Sequence, residues 1–252
     1  VECDHKNVPH KGVKMLKKIF PVLLLGLLAL GAIIKWTHCE QGAQHTTLVG
    51  RQYRHFIAPA VMPNGEIVDL DIKEYFKGHI GVIFFYPLDF TFVCPTEILA
   101  FHDLVQELER LDVKIVGISV NTVDSHVKWR EATPEEGGVG HINYPLIADD
   151  DHKIMNMYGV PAPDQDVALR STFIVDDATE KVIFQSVSDL SIGRNTDEVI
   201  RVIKAHLASR SGDKVCPANW QPGQEGMKPD LNAAIDFLKK RQMAKLQKQE
   251  VK

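Results

Sequence analysis

Four cysteines, Cys3, Cys39, Cys94 and Cys216, are the residues of this chain best suited to covalent chemistry. They are too few and too widely spaced for a disulfide framework, and none forms the Cys-x-x-Cys pair of a zinc site. Cys94 stands in the run FFYPLDFTFVCPT, residues 84–96, where an apolar β-type stretch gives way to a helical one. A thiol in the first turn of a helix meets unpaired backbone N–H groups and the positive end of the helix dipole, and both stabilise negative charge on sulfur. Such a sulfur is a nucleophile. Thr91, three residues earlier, can offer a hydroxyl to the sulfur or to an incoming oxygen, while Pro87 and Pro95 stiffen the loop and keep bulk water away. An isolated cysteine among apolar residues belongs more often to a core. The Pro-x-x-x-Thr-x-x-Cys frame at a strand-to-helix turn favours chemistry instead.

The elements that must hold this sulfur are legible around it. Residues 80–86 (IGVIFFY) and 113–120 (VKIVGISV) are rich in β-branched and aromatic side chains, as buried central strands require. Between them, Ile98, Phe101, Leu104, Val105, Leu108 and Leu111 recur at helical spacing, with Pro95 where a first-turn proline is tolerated. Strand, helix, strand implies a parallel pair joined by a right-handed crossover. A second helix is expected over 125–132, and a hairpin from 171–175 and 182–187 turning at 176–180. A further helix is expected to be capped by Asn195, with Glu198 three residues on and Val199, Val202, Ile203 and Leu207 along one face. Beyond Pro217 the chain turns polar, then 231–247 reads as a basic amphipathic helix. One α/β domain is the economical architecture.

The chain has 252 residues, 44% hydrophobic and 25% charged, the balance of a globular protein. Lys and Arg number 29 against 33 Asp and Glu, a formal charge of -4, so no net attraction to a phosphate backbone or an acidic membrane arises and no nucleic-acid partner is expected. The 11 histidines are scattered without ligand spacing, and Asp149, Asp150 and Asp151 read as a solvated turn, so no metal or other cofactor is expected. Residues 19–34 (IFPVLLLGLLALGAII) are an apolar run preceded by Lys11, Lys14, Lys17 and Lys18. As a helix the run reaches about 24 Å, short of a hydrocarbon core of roughly 30 Å, which suits the apolar core of an export signal. A tilted anchor with membrane contact through 19–34, a packed helix and a true start at Met15 remain open. If the run inserts, the lysine bias puts the chain after Ile34 outside the cytoplasm.

With these residues in view, FYPLDFTFVCPTE resembles the active-site signature of the typical two-cysteine peroxiredoxins. The similarity continues through VALRSTFIVDD (167–177), LSIGRNTDEVIR (190–201) and VCPANWQPG (215–223), and spans about 48–238. The resemblance implies a thioredoxin-like α/β fold with a central mixed sheet flanked by helices and a C-terminal arm. It divides the chain into an extension over 1–44, a catalytic domain over 45–210 and an arm over 211–252. It implies a thiol peroxidase for hydrogen peroxide and small organic hydroperoxides, with Cys94 as peroxidatic cysteine, Cys216 as resolving cysteine, and Thr91, Arg170 and Pro87 at the site. Glu97 and Arg194 support it. Without that resemblance, Arg170 would be read as an ordinary strand-start arginine and Glu97 as a helix-surface charge.

The resemblance further implies an intersubunit disulfide, hence a homodimer able to form decamers, recycled by thioredoxin or a similar dithiol protein. Gly137, Gly138, Val139 and Gly140 match the glycine-rich loop of hyperoxidation-sensitive members, but Phe237 and Leu238 stand where their Tyr-Phe pair would align. Intermediate sensitivity is the expectation. An oligomeric holdase, especially when hyperoxidised, is the alternative function. Localisation is exported or anchored if 19–34 is functional, and cytoplasmic otherwise, as for most of the family.

Overall fold

The two longest apolar runs form adjacent central strands, and the computed structural model, which describes residues 47–250, builds everything else around them. β3 (Ile80–Phe85) and β4 (Val113–Ser119) pair in parallel, as the strand, helix, strand order requires. β5 (Leu146–Ala148) continues the parallel set beside β4. β6 (Arg170–Asp176) and β7 (Lys181–Ser188) form the expected antiparallel hairpin on the other side of β3. β1 (Ile57–Val61) and β2 (Ile67–Asp71) close the far side, giving a seven-stranded mixed sheet in the order β2-β1-β5-β4-β3-β6-β7.

Side chains on a strand alternate between faces, so a strand apolar at every position must be covered on both. β3 shows this directly. Ile83 and Phe85 join Val116, Ile118, Phe173 and Tyr158 on one face, while Val82 and Phe84 join Ile98, Phe101, Ile174 and Ile203 on the other. The second face is covered by α2 (Cys94–Arg110) and α5 (Thr196–Ser209). Phe84 stacks on Phe101 with ring centroids 4.4 Å apart, locking β3 to α2 next to the sulfur; each such fully buried ring contributes roughly 1.5–3 kcal/mol.

Three smaller helices complete the packing: α1 (Ile72–Phe76), α3 (Val123–Glu131) and α4 (Lys153–Tyr158). Asn195 caps α5 by accepting from Asp197 N at 3.0 Å, but Glu198 turns to Arg201 instead of back to the cap. The solvated turn expected at 149–151 is corrected at its first residue. Asp149 is buried, and its carboxylate accepts from Ile154 N and Met155 N, both at 2.8 Å, at the start of α4. α6 runs Leu231–Glu250, and Leu231, Leu238 and Leu246 are exposed on it. Cys3, Cys39 and the apolar run at 19–34 lie outside the described residues; within them no helix is long and apolar enough to cross a membrane.

Candidate active site

β3 ends at Phe85, and the chain crosses from there to α2 through a loop that cannot relax freely. Pro87 is buried, and Phe90 holds φ at 52°, a left-handed conformation uncommon for an aromatic residue. Cys94 is the first residue of α2 and is fully buried. The N-cap position falls on Val93, which offers no side-chain hydrogen bond.

The expectation that several open N–H groups would face the sulfur is corrected here. The Val93 carbonyl already accepts from Thr96 N at 3.0 Å and Glu97 N at 3.3 Å, and Pro95 has no N–H to give. The positive partner is a side chain. Arg170, at the start of β6, points Nη1 at Cys94 Sγ at 3.4 Å, and its Nε is tied to the Leu190 carbonyl at 2.8 Å.

Glu97 organises the rest. It lies one turn after Cys94 on the same buried face of α2, so it is no helix-surface charge. Oε2 accepts from Arg170 Nη1 at 2.6 Å, and Oε1 from Arg194 Nε at 2.9 Å and Arg194 N at 3.1 Å. Arg194 also donates to the carbonyls of Phe85 at 2.6 Å and Ser171 at 3.1 Å, and lies over the Phe84 ring. Two buried guanidiniums therefore share one carboxylate. A single positive charge is left beside Sγ, and an anion at that position completes the balance. Burial opposes the charge on Arg170, but the hydrogen bond to Cys94 and the charge of Glu97 outweigh it and hold the guanidinium above its ordinary pKa. Arg194 is held below its own, with burial outweighing the charge and hydrogen bond of Glu97.

Thr91 is partly exposed and donates its hydroxyl to the Leu88 carbonyl at 3.0 Å. Its proton is thus engaged in the loop, and its lone pairs remain free to accept one from a bound molecule. Hydrogen bonds join Cys94, Glu97, Arg170 and Arg194 into one cluster, and Pro87 and Thr91 lie in the loop that leads to Cys94. Cys216 stands apart. Its Sγ lies 3.5 Å from the Ala205 carbonyl, next to His206, whose ring meets Asp176 at 2.9 Å at the far end of β6. Arg170 and Asp176 bound that strand, so six steps of roughly 3.3 Å put the two sulfurs on the order of 20 Å apart within one chain. Both thiols are free.

A second polar cluster braces the loop, and no motif in the sequence marks it. Asp89, buried, accepts from Tyr86 Oη at 2.9 Å and Ser125 Oγ at 2.8 Å, and meets His126 Nδ1 at 2.8 Å. His126 is fully buried, with Nε2 3.2 Å from the Ile147 carbonyl. Each ring nitrogen thus faces an oxygen, and the ring is fixed between loop and sheet. One turn on, Trp129 packs on Tyr86 and Phe90 and donates to the Gly137 carbonyl at 3.0 Å. The signal was the spacing of His126 and Trp129 on one face of α3, opposite the only acid in the loop. Gly137, Gly138, Val139 and Gly140 are thereby joined to the Cys94 loop through Trp129. Gly138 must be glycine, since a Cβ would lie 2.0 Å from the Ala132 carbonyl oxygen.

Residues 49–183 match the AhpC/TSA family model, and residues 208–241 match the model described as the C-terminal domain of 1-Cys peroxiredoxin. The chain is 43% identical over 195 residues to alkyl hydroperoxide reductase C of Buchnera aphidicola, covering 77% of this chain and 98% of that one. It is 42% identical over 183 residues to a thioredoxin peroxidase of Trypanosoma brucei rhodesiense, covering 73% and 91%. The crystal structure of reduced 2-Cys peroxiredoxin from Plasmodium vivax superposes with a TM-score of 0.73 at 33% identity, over 77% of this chain and 99% of that one. The fold is thus the thioredoxin-like fold of those proteins. The chain belongs to the AhpC/TSA family of peroxiredoxins, enzymes that reduce peroxides with a cysteine thiol.

Proposed function

We propose that Cys94 is the thiol that meets the peroxide and that Cys216 of a second subunit resolves it. The observation that carries the reading is the Arg170 guanidinium 3.4 Å from the buried Cys94 sulfur. The thiolate sulfur attacks one peroxide oxygen and forms the S–O bond as the O–O bond breaks. The departing oxygen takes the electron pair and then a proton, leaving as water or an alcohol. Negative charge moves from sulfur to that oxygen, and a fixed guanidinium beside both stabilises it throughout without reorganising. Thr91 accepts from the peroxide O–H and orients it, while Pro87 keeps the loop closed over the pair. Glu97 and Arg194 hold Arg170 in place.

The product, Cys94 sulfenic acid, condenses with the Cys216 thiol to give a disulfide and water. A disulfide needs Cα atoms within about 7 Å, so thiols on the order of 20 Å apart along one chain support a partner subunit as the source. The first turn of α2 must open for this, because Cys94 is fully buried. A dithiol protein of the thioredoxin type then returns two electrons, in keeping with the name of the trypanosome relative. The catalytic unit is 45–210, the arm 211–252 carries Cys216, and the working assembly is a homodimer able to build decamers. The extension 1–44 sets location, as export signal or anchor. Sequencing the mature N-terminus of fractionated protein tests that part.

Peroxide consumption tests the cycle. Cys94→Ser should abolish it with any reductant. Cys216→Ser should lose turnover with thioredoxin yet keep it with a small thiol that reaches Cys94 directly. Full activity in Cys94→Ser would overturn the assignment.

A further inference from the structure

The buried arginines of the active centre have acidic partners; Arg130 does not. It lies on α3, is 4% exposed, and among the described residues no carboxylate stands within ion-pairing distance of it. Its guanidinium donates to three backbone carbonyls: Nη1 to Tyr144 at 3.1 Å, and Nη2 to Pro63 at 3.1 Å and Ile142 at 2.9 Å. These dipoles fix its orientation but leave a full positive charge, and Nε–H keeps no acceptor among the described residues. Buried charges are ordinarily paired, since desolvation without a counter-charge is costly. Burial accordingly holds the Arg130 pKa below its ordinary value.

The same side chain lines a cavity of about 160 Å³ between the β1–β2 turn and α3, together with Pro63, Asn64, Val127, Glu131 and His141. Part of this wall is apolar, which strengthens the field of the guanidinium. We propose that this cavity binds a small monovalent carboxylate. The carboxylate group would meet the free Arg130 edge, its methyl or methylene the Val127 and Pro63 side, and His141, exposed at the mouth, can add a donor. Glu131 at the same mouth selects against anions of higher charge. The site is separate from Cys94, and it stands whether or not the peroxidase cycle proposed above is correct.

Acetate is the probe, titrated into the full chain at constant ionic strength, with acetamide as its neutral isostere and chloride as the balancing anion. Calorimetric titration and thermal unfolding should both show saturable acetate binding, with Tm raised by about 3–5 °C at ten times the dissociation constant. Acetamide should do nothing. Arg130→Met should abolish the effect, and Glu131→Gln should tighten binding several-fold by removing a like charge. Because Arg130→Met also frees three carbonyls and can fail to fold, Glu131→Gln and carbon-13 acetate line broadening on the unmodified chain decide independently. Acetate acting no better than acetamide or chloride would overturn the site, leaving Arg130 a brace for three carbonyls. Weaker binding in Glu131→Gln would overturn it equally, making Glu131 the counter-charge.

Discussion

Arg170 Nη1 sits 3.4 Å from Cys94 Sγ and 2.6 Å from Glu97 Oε2, so one guanidinium nitrogen joins the sulfur to the carboxylate one turn along the same helix. One helical turn, carrying Cys94 and Glu97, and an arginine more than seventy residues away form a single electrostatic unit, with Arg194 as its fourth member.

Arg170→Met should lower kcat/KM for hydrogen peroxide by about 10²–10³, the usual loss when one fixed donor to a developing oxyanion is removed. Arg170→Lys should recover only part, because a lysine cannot serve sulfur, carboxylate and carbonyl together. Stopped-flow peroxide consumption measures both. An unchanged kcat/KM in Arg170→Met would remove the guanidinium from the mechanism.

Glu97→Gln should destabilise the fold by about 3–5 kcal/mol, since it leaves two buried arginines without their shared counter-charge. Urea denaturation of the reduced protein reads the loss directly. A change of a few tenths of a kcal/mol would mean that water or an anion already compensates the arginines.

Asp89→Asn should loosen the loop before Cys94 while leaving the thiol and Arg170 in place. The hydrogen bonds that the Asp89 carboxylate makes with Tyr86, Ser125 and His126 would be weakened, at a cost of about 1–3 kcal/mol. Hydrogen exchange at the amides of 86–93 should accelerate, and Cys94–Cys216 disulfide formation should speed up because opening becomes easier. Equal protection in both proteins would show that Trp129 and Pro87 hold the loop alone.

Burial is the leading cause raising the pKa of all five tyrosines, Tyr53, Tyr75, Tyr86, Tyr144 and Tyr158, and Tyr75 is pushed up to about 12. Above about pH 10 the unfolded chain releases phenolic protons that the folded protein retains. The stability these groups contribute is complete below that pH and is lost as pH rises through the folded values. Phenolate absorbance should therefore lag behind free tyrosine and then rise in one step with loss of structure. A smooth titration centred near pH 10 with the fold intact would refute this.

The glycine-rich loop is present and tied to the Cys94 loop through Trp129, while Phe237 and Leu238 lack the hydroxyl of a Tyr-Phe clamp. Sulfinic acid at Cys94 should appear at peroxide doses between those of fully sensitive and fully robust enzymes. Mass spectrometry during turnover follows it, and complete resistance at high peroxide would dismiss the idea.

The central strands, α2 and the β6–β7 hairpin were readable because each carries its own periodicity: continuous apolar runs for strands buried on two faces, and three- and four-residue spacing for a helix buried on one. β1 and β5 were not, since Pro59 interrupts the first and the second is only Leu146–Ala148. Short strands gain their stability from the neighbours they pair with, which local pattern does not contain.

The same division runs through the site. By itself the sequence determined that Cys94 begins a helix after a buried strand, because composition and prolines there are local facts. Only the tertiary structure decided what surrounds the sulfur. The chain's fold, and not its order, brings Arg170, Arg194 and Glu97 within hydrogen-bonding reach, turns a surface-type charge inward and closes Asp89 on His126. Charges become strong only where water is excluded, and which residues share such a place is decided when the sheet and helices pack.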